Sequence, residues 1–92
     1  MAHSDDDPGT APRVGDLTLV EWVDSVSIDE RIWHDQVEVE ALNLSVAYTT
    51  GMLVRSDDDV VIVAGSWTDD QYSGVMCIPR VSIRRMTKME KP

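Results

Sequence analysis

Gly51-Met52-Leu53-Val54-Arg55-Ser56-Asp57-Asp58-Asp59-Val60-Val61-Ile62-Val63-Ala64-Gly65-Ser66-Trp67 is the stretch whose reading decides the fold. Together with residues 46–50, it sets a run rich in Val, Tyr, Thr and Leu on one side of a polar cluster and a second β-branched run on the other. Such a pattern predicts a hairpin. Three consecutive aspartates cannot be buried without partners, so the turn between the arms is expected in solvent. Gly51 lies inside the first arm, where a missing side chain marks a bend or a close backbone approach. In a barrel of few strands, such a bend lets one strand serve two sheets.

Working outward, Thr68-Asp69-Asp70-Gln71 reads as the next turn and residues 72–78 as a third long strand with Gly74 inside it. Pro79-Arg80-Val81-Ser82 interrupts the ladder, because proline fixes its own φ and donates no hydrogen bond. A short helical turn there, followed by a last strand from residue 83 to about 88, is the economical reading. Upstream, residues 15–23 mix Leu17, Leu19, Trp22 and Val23 with polar neighbours as a first strand would, and residues 24–30 read as a loop. Asp35 with Glu38 three positions on resembles a capping box. Val37, Ala41 and Leu42 then fall at i, i+4 and i+5, which predicts a short helix over 36–43 inserted between the first two strands. Val37 and Val39 also alternate as a strand would.

A chain of 92 residues predicts one small domain. Residues 1–13 hold almost nothing apolar and are expected as a disordered tail, residues 14–89 as the folded domain, and 90–92 as a C-terminal tail. The N-terminal stretch lacks the apolar run of a secretory signal. No segment approaches the roughly 20 apolar residues of a membrane span, so the expected location is cytoplasmic. The single cysteine, Cys77, rules out an internal disulfide and a cysteine metal cluster, and is expected as a buried strand residue. The core must come from Val, Ile, Leu, Met and three Trp, with no Phe at all. A core of this size rarely supplies more than about 3–5 kcal/mol. With disulfide and metal both missing, the available support is association with further copies of the same chain.

The formal charge of −9 is unevenly placed. From residue 79 onward there are five basic residues and one acidic, whereas residues 1–78 carry three basic and sixteen acidic. A net field of this sign repels nucleic acid and weakens any grip on phosphates. The basic end therefore has three readings: a local anion site, the positive side of a head-to-tail contact, or an edge strand protected by Lys and Arg.

Candidate chemistry is sparse. His34, beside Trp33 and Asp35, has the ingredients of a base with an orienting carboxylate, but no nucleophile or second histidine is placed near it in sequence, and His3 falls in the expected tail. Asp57, Asp58 and Asp59 lack the alternating ligand spacing of a calcium loop. There is no phosphate-cradling glycine loop and no serine elbow. No catalytic residue, metal site or cofactor is expected. Trp33, Trp67 and Tyr72 are either large core residues or the aromatics of a contact surface.

Residues 51–62 resemble the first Sm motif, with glycine, an apolar residue two positions on, an aspartate six positions on, and mostly apolar positions after the turn. Ile78-Pro79-Arg80-Val81-Ser82-Ile83-Arg84-Arg85-Met86 resembles the second, with apolar residues at its first, sixth and ninth positions. Two positions depart from the family. Val61 stands where RNA-binding members carry an asparagine, and Pro79-Arg80 where they carry an arginine-glycine pair; those family residues hold a uridine base. The proline-containing turn before the last strand is also similar to that of SH3-like barrels. Residues 14–89 as a whole, with Val-Glu-Trp-Val-Asp-Ser from Val20 to Ser25, a Trp-His pair, an acidic turn and an Ile-Pro-Arg close, resemble small proteins of phage and prophage genomes. The resemblance implies a five-stranded Sm-like or SH3-like barrel able to assemble into a ring, and supplies no function of its own.

The expectation is a mainly β, non-enzymatic, homo-oligomeric barrel with a binding or assembly role, probed at two places. The fourth strand of one copy is expected to pair with the fifth of the next, through Tyr72, Val75, Cys77, Ile83, Arg85 and Thr87. A ligand or nucleic acid, if bound, would meet Arg80, Arg84 and Arg85 together with Trp33 and His34. The rival readings are a nucleic-acid module using the basic C-terminal segment, and a sequestering protein holding a small anionic, nucleotide-like ligand between protomers.

Overall fold

The computed structural model describes residues 11–90. Strand β1 (Leu17–Asp24) is followed by helix α1 (Gln36–Glu40), then by the strands β2 (Ser45–Ser56), β3 (Val60–Trp67) and β4 (Tyr72–Pro79). A 3-10 turn (Arg80–Ser82) leads into β5 (Ile83–Lys88). Each strand falls within about two residues of the stretch the sequence marks for it. Residues 1–10 of the expected N-terminal tail, and residues 91–92 of the expected C-terminal one, lie outside the described residues. Arg13, assigned to that tail, instead donates its backbone N–H to Asp16 Oδ2 at 2.9 Å. Beside it the Gly15 and Leu53 amides donate to the Leu53 and Asp16 carbonyls at 2.8 Å each, so the folded part begins ahead of β1.

All five strands form one antiparallel sheet in the order β4-β3-β2-β1-β5. This corrects the closed barrel expected from the sequence. The 3-10 turn carries the chain from one side of the sheet to the other, β5 pairs with β1 and not with β4, and the sheet stays open along both outer strands.

The core lies on one face. Val63 stands opposite Leu53 and Met76, Val61 opposite Ile78, and Val20 opposite Met86, so the alternation of each strand delivers its apolar residue to the same side. Val20, Leu53, Val61, Val63 and Ile78 are fully buried there, with Trp22, Ile83 and Met86 packed against them. The register shifts between β2 and β3 with Val54 as the extra residue of β2, and between β1 and β5 with Arg84 as the extra residue of β5; such irregularities sharpen the twist of the sheet around this cluster. The one buried polar residue among those described, Thr18, donates its hydroxyl to the Asp16 carbonyl at 3.0 Å. Of the three tryptophans expected as core, only Trp22 packs there, with its indole N–H donated to Thr49 Oγ1 at 2.9 Å.

Helix α1 is shorter than the 36–43 read from the sequence, and it buries none of its residues. The capping box is not formed. Asp35 makes no side-chain cap hydrogen bond, and the Glu38 carboxylate that would complete the box is taken by His34 Nδ1 at 2.6 Å. Without a reciprocal cap or a buried face, one short turn is all that persists.

Candidate assembly interface

β4 is exposed along its whole length apart from Ile78. It contains no charged residue, and its only edge-blocking feature is Pro79 at the far end. Free edge strands are ordinarily protected by charge, proline or a bulge, because their unpaired N–H and C=O groups otherwise template further pairing. β5, on the opposite margin, carries Arg84, Arg85 and Lys88. The Arg84 Nε lies 3.8 Å from Glu21 Oε2, and the Lys88 ammonium 3.9 Å from Asp16 Oδ1. Of the expected interface residues, Tyr72, Val75 and Cys77 thus lie on one outer strand, and Ile83, Arg85 and Thr87 on the other. Ile83 packs partly against the core. Cys77, expected to be buried, is exposed. Strand alternation turns it away from the face that covers Ile78, and at β4 nothing in the described chain covers the other face.

Beyond the core, β3 and β4 continue as a two-stranded arm. The pairing of β2 with β3 stops at Met52 opposite Ala64, while that of β3 with β4 runs on to Ser66 opposite Ser73 and Trp67 opposite Tyr72. Gly65 and Gly74 mark the break: Gly74 has φ +63°, a conformation in which an L side chain is strained, and a Cβ on it would stand 3.6 Å from the Gly65 nitrogen. At the tip, the Thr68 amide donates to the Gln71 carbonyl at 2.9 Å and the Gln71 amide to the Thr68 hydroxyl at 3.1 Å. The arm bounds an open cleft of about 420 Å³ lined by Ser66, Trp67, Thr68, Gln71, Tyr72 and Ser73. Trp67 is 47% and Tyr72 54% exposed, as a directly opposed aromatic pair. The signal for this pair was available in sequence, as two aromatics flanking a four-residue polar turn.

The residues expected to meet a ligand are differently disposed. Arg80 faces the β2–β3 turn: its Nε donates to the Asp57 carbonyl at 3.1 Å, one terminal nitrogen to Ser56 Oγ at 2.8 Å, and the other to Met86 Sδ at 3.3 Å. Its backbone N–H also donates to the Asp59 carbonyl at 2.9 Å. Trp33 is fully exposed in the loop before α1. His34 beside it is only 18% exposed, with Nδ1 against Glu38 and Nε2 2.8 Å from the Asp29 carbonyl. Those contacts raise the His34 pKa, the Asp29 carbonyl first and Glu38 second, against an opposing effect of burial. Arg80 is thus bound to the β2–β3 turn and Arg84 lies near Glu21, whereas His34 is bound to Asp29 and Glu38.

Asp57, which the sequence places in a solvated turn, also holds that turn together. Its Oδ1 accepts the Asp59 and Val60 amides at 2.9 Å each and its Oδ2 accepts Arg55 Nε at 2.6 Å, closing the β2–β3 turn. Among the described residues no group of His, Cys, Asp or Glu is placed to hold a metal ion, and no helix is long and apolar enough to cross a membrane. No protein-family model, no curated protein and no solved structure matches the chain.

Proposed function

We propose that the protein is a non-enzymatic, self-assembling module of the Sm-like or SH3-like type, in which β4 of one copy pairs with β5 of the next to build a ring with a binding or assembly role. The carrying observation is the contrast between the two margins of one sheet, an uncharged and exposed β4 against a cationic β5. An open edge that is long and apolar is a liability unless something covers it. Two unlike edges favour a head-to-tail contact over a two-fold one. The small core adds a second reason, since among the described residues five apolar side chains form the fully buried cluster. The Sm-like assignment leans on the motif positions at residues 51–62 and 78–86 and on the order of the strands.

Sedimentation velocity over a range of concentrations tests the reading. The wild type is expected to sediment as a defined oligomer at micromolar concentration, and Val75→Lys, which sets a charge on the bare edge, is expected to weaken assembly by about tenfold or more while leaving the far-ultraviolet circular dichroism unchanged. A wild type that stays monomeric at high micromolar concentration overturns it. A nucleic-acid module is the less economical reading, because the Arg80 guanidinium is committed to the β2–β3 turn and the chain is strongly acidic.

A further inference from the structure

We propose that the β3–β4 arm is a receptor for a cationic side chain, and that its occupant is an arginine or lysine of β5 from a second copy of this chain. The inference rests on the assembly proposed above and names the chemistry that would orient it. Trp67 and Tyr72 are opposed across the arm, half-exposed, on the side of the sheet that carries Val63 and Ile78, but beyond the reach of the core. Aromatic faces carry a negative quadrupole and attract guanidinium and ammonium groups. Asp69 and Asp70 stand at the same tip, and from Ser56 to Pro79 the chain contains no lysine, arginine or histidine to neutralise them.

The chain's cations lie elsewhere: five of its eight basic residues fall at position 80 or later. If β5 of a neighbour adds to β4, either sense of pairing brings one of them to the arm. Antiparallel pairing runs the Lys88 end of β5 toward the Tyr72 end of β4, and parallel pairing runs the Arg84 end there. Because the acidic, aromatic half of the contact and the cationic half lie on different strands, the cleft is completed only by a second molecule. The polarity of the contact follows from that placement.

Charge reversal tests this. The double variant Asp69→Lys with Asp70→Lys is expected to loosen assembly by about tenfold or more, as is Trp67→Ala. Adding Arg84→Glu and Lys88→Glu to the double variant in the same chain is expected to recover part of it, because the arm tip and β5 then again carry opposite charges, while Glu21 and Asp16 of the same chain come to face like ones. Circular dichroism and thermal melting establish that each variant is folded. Should the reversal unfold the arm, the neutral pair Asp69→Asn and Asp70→Asn serves instead, with a smaller loosening expected. A double variant that assembles like the wild type overturns the inference and leaves the parent reading standing. A folded quadruple variant that stays as loose as the double one also overturns it. A monomeric wild type removes the parent reading, and the inference with it.

Discussion

A Cβ added to Gly51 would stand 2.6 Å from the carbonyl oxygen of Ala64 and 3.0 Å from its carbonyl carbon. Neither atom belongs to a side chain that could swing away, so the backbones of β2 and β3 must separate before any other residue fits. Gly51→Ala is therefore expected to destabilise the fold by about 1–3 kcal/mol, the usual range for overpacking. Urea denaturation checks it, and a midpoint equal to the wild type's would mean that the two strands do not meet as closely as described.

Arg80 ties three parts of the chain together. Its side chain bonds to Ser56, to the Asp57 carbonyl and to Met86 Sδ, which links the 3-10 turn to the β2–β3 turn and to β5. Arg80→Ala is expected to cost about 1–3 kcal/mol, since hydrogen bonds from a charged donor are among the stronger ones and their acceptors are left without a partner. Arg80→Lys is not expected to rescue it, because a single ammonium cannot span acceptors matched to a planar fork. Equal denaturation midpoints for wild type and Arg80→Ala would release this arginine for a role in ligand binding.

Strand placement was legible because it is written locally. β-branched runs, the Asp-rich turns and Pro79 each act within a few residues, and the five strands and the 3-10 turn follow them. What sequence left open depends on partners far along the chain or on competition for one group. Arg80 reads as a free cation until a residue 24 positions away takes its guanidinium. Glu38 reads as half of a capping box until His34 claims the carboxylate. The exposure of Cys77 depends on whether anything covers the outer face of an edge strand, which its own alternation with Ile78 cannot say. Closure of the barrel is the same kind of question, and in a single chain it is answered by an open sheet.

Asp57 gives the β2–β3 turn an acid-sensitive lock. The Val60 and Asp59 amides, and then the Arg55 guanidinium, hold its carboxyl at about 2 instead of the ordinary 3.8. A carboxyl whose pKa is lowered by folding contributes stability that is present above 3.8 and is lost as pH falls from there through about 2. Asp57→Ala is expected to lower the melting temperature at neutral pH and to remove this part of the acid dependence, leaving the two proteins closer in stability near pH 2 than at pH 7. A gap that does not narrow on acidification would show that the carboxylate charge is not what closes the turn.

His34 titrates in the opposite sense. Both ring nitrogens face acceptors, the Asp29 carbonyl and the Glu38 carboxylate, and only the doubly protonated imidazolium can donate to both at once. Arg31, bound to Asp29 at 3.0 Å, is the nearby cation of the same loop and draws on the Asp29 side chain, leaving its carbonyl to the histidine. The pKa is accordingly raised above 6.5. A histidine raised by folding contributes stability that is fully present below its unfolded value and is lost as pH rises through the folded one, so the link between this loop and α1 is expected to loosen toward alkaline pH. Titration of the His34 ring protons by NMR measures the shift directly. Glu38→Gln is expected to lower the value while leaving it above 6.5, because the Asp29 carbonyl is the larger cause. A return all the way to 6.5 would assign the shift to Glu38 and leave the Asp29 contact without effect.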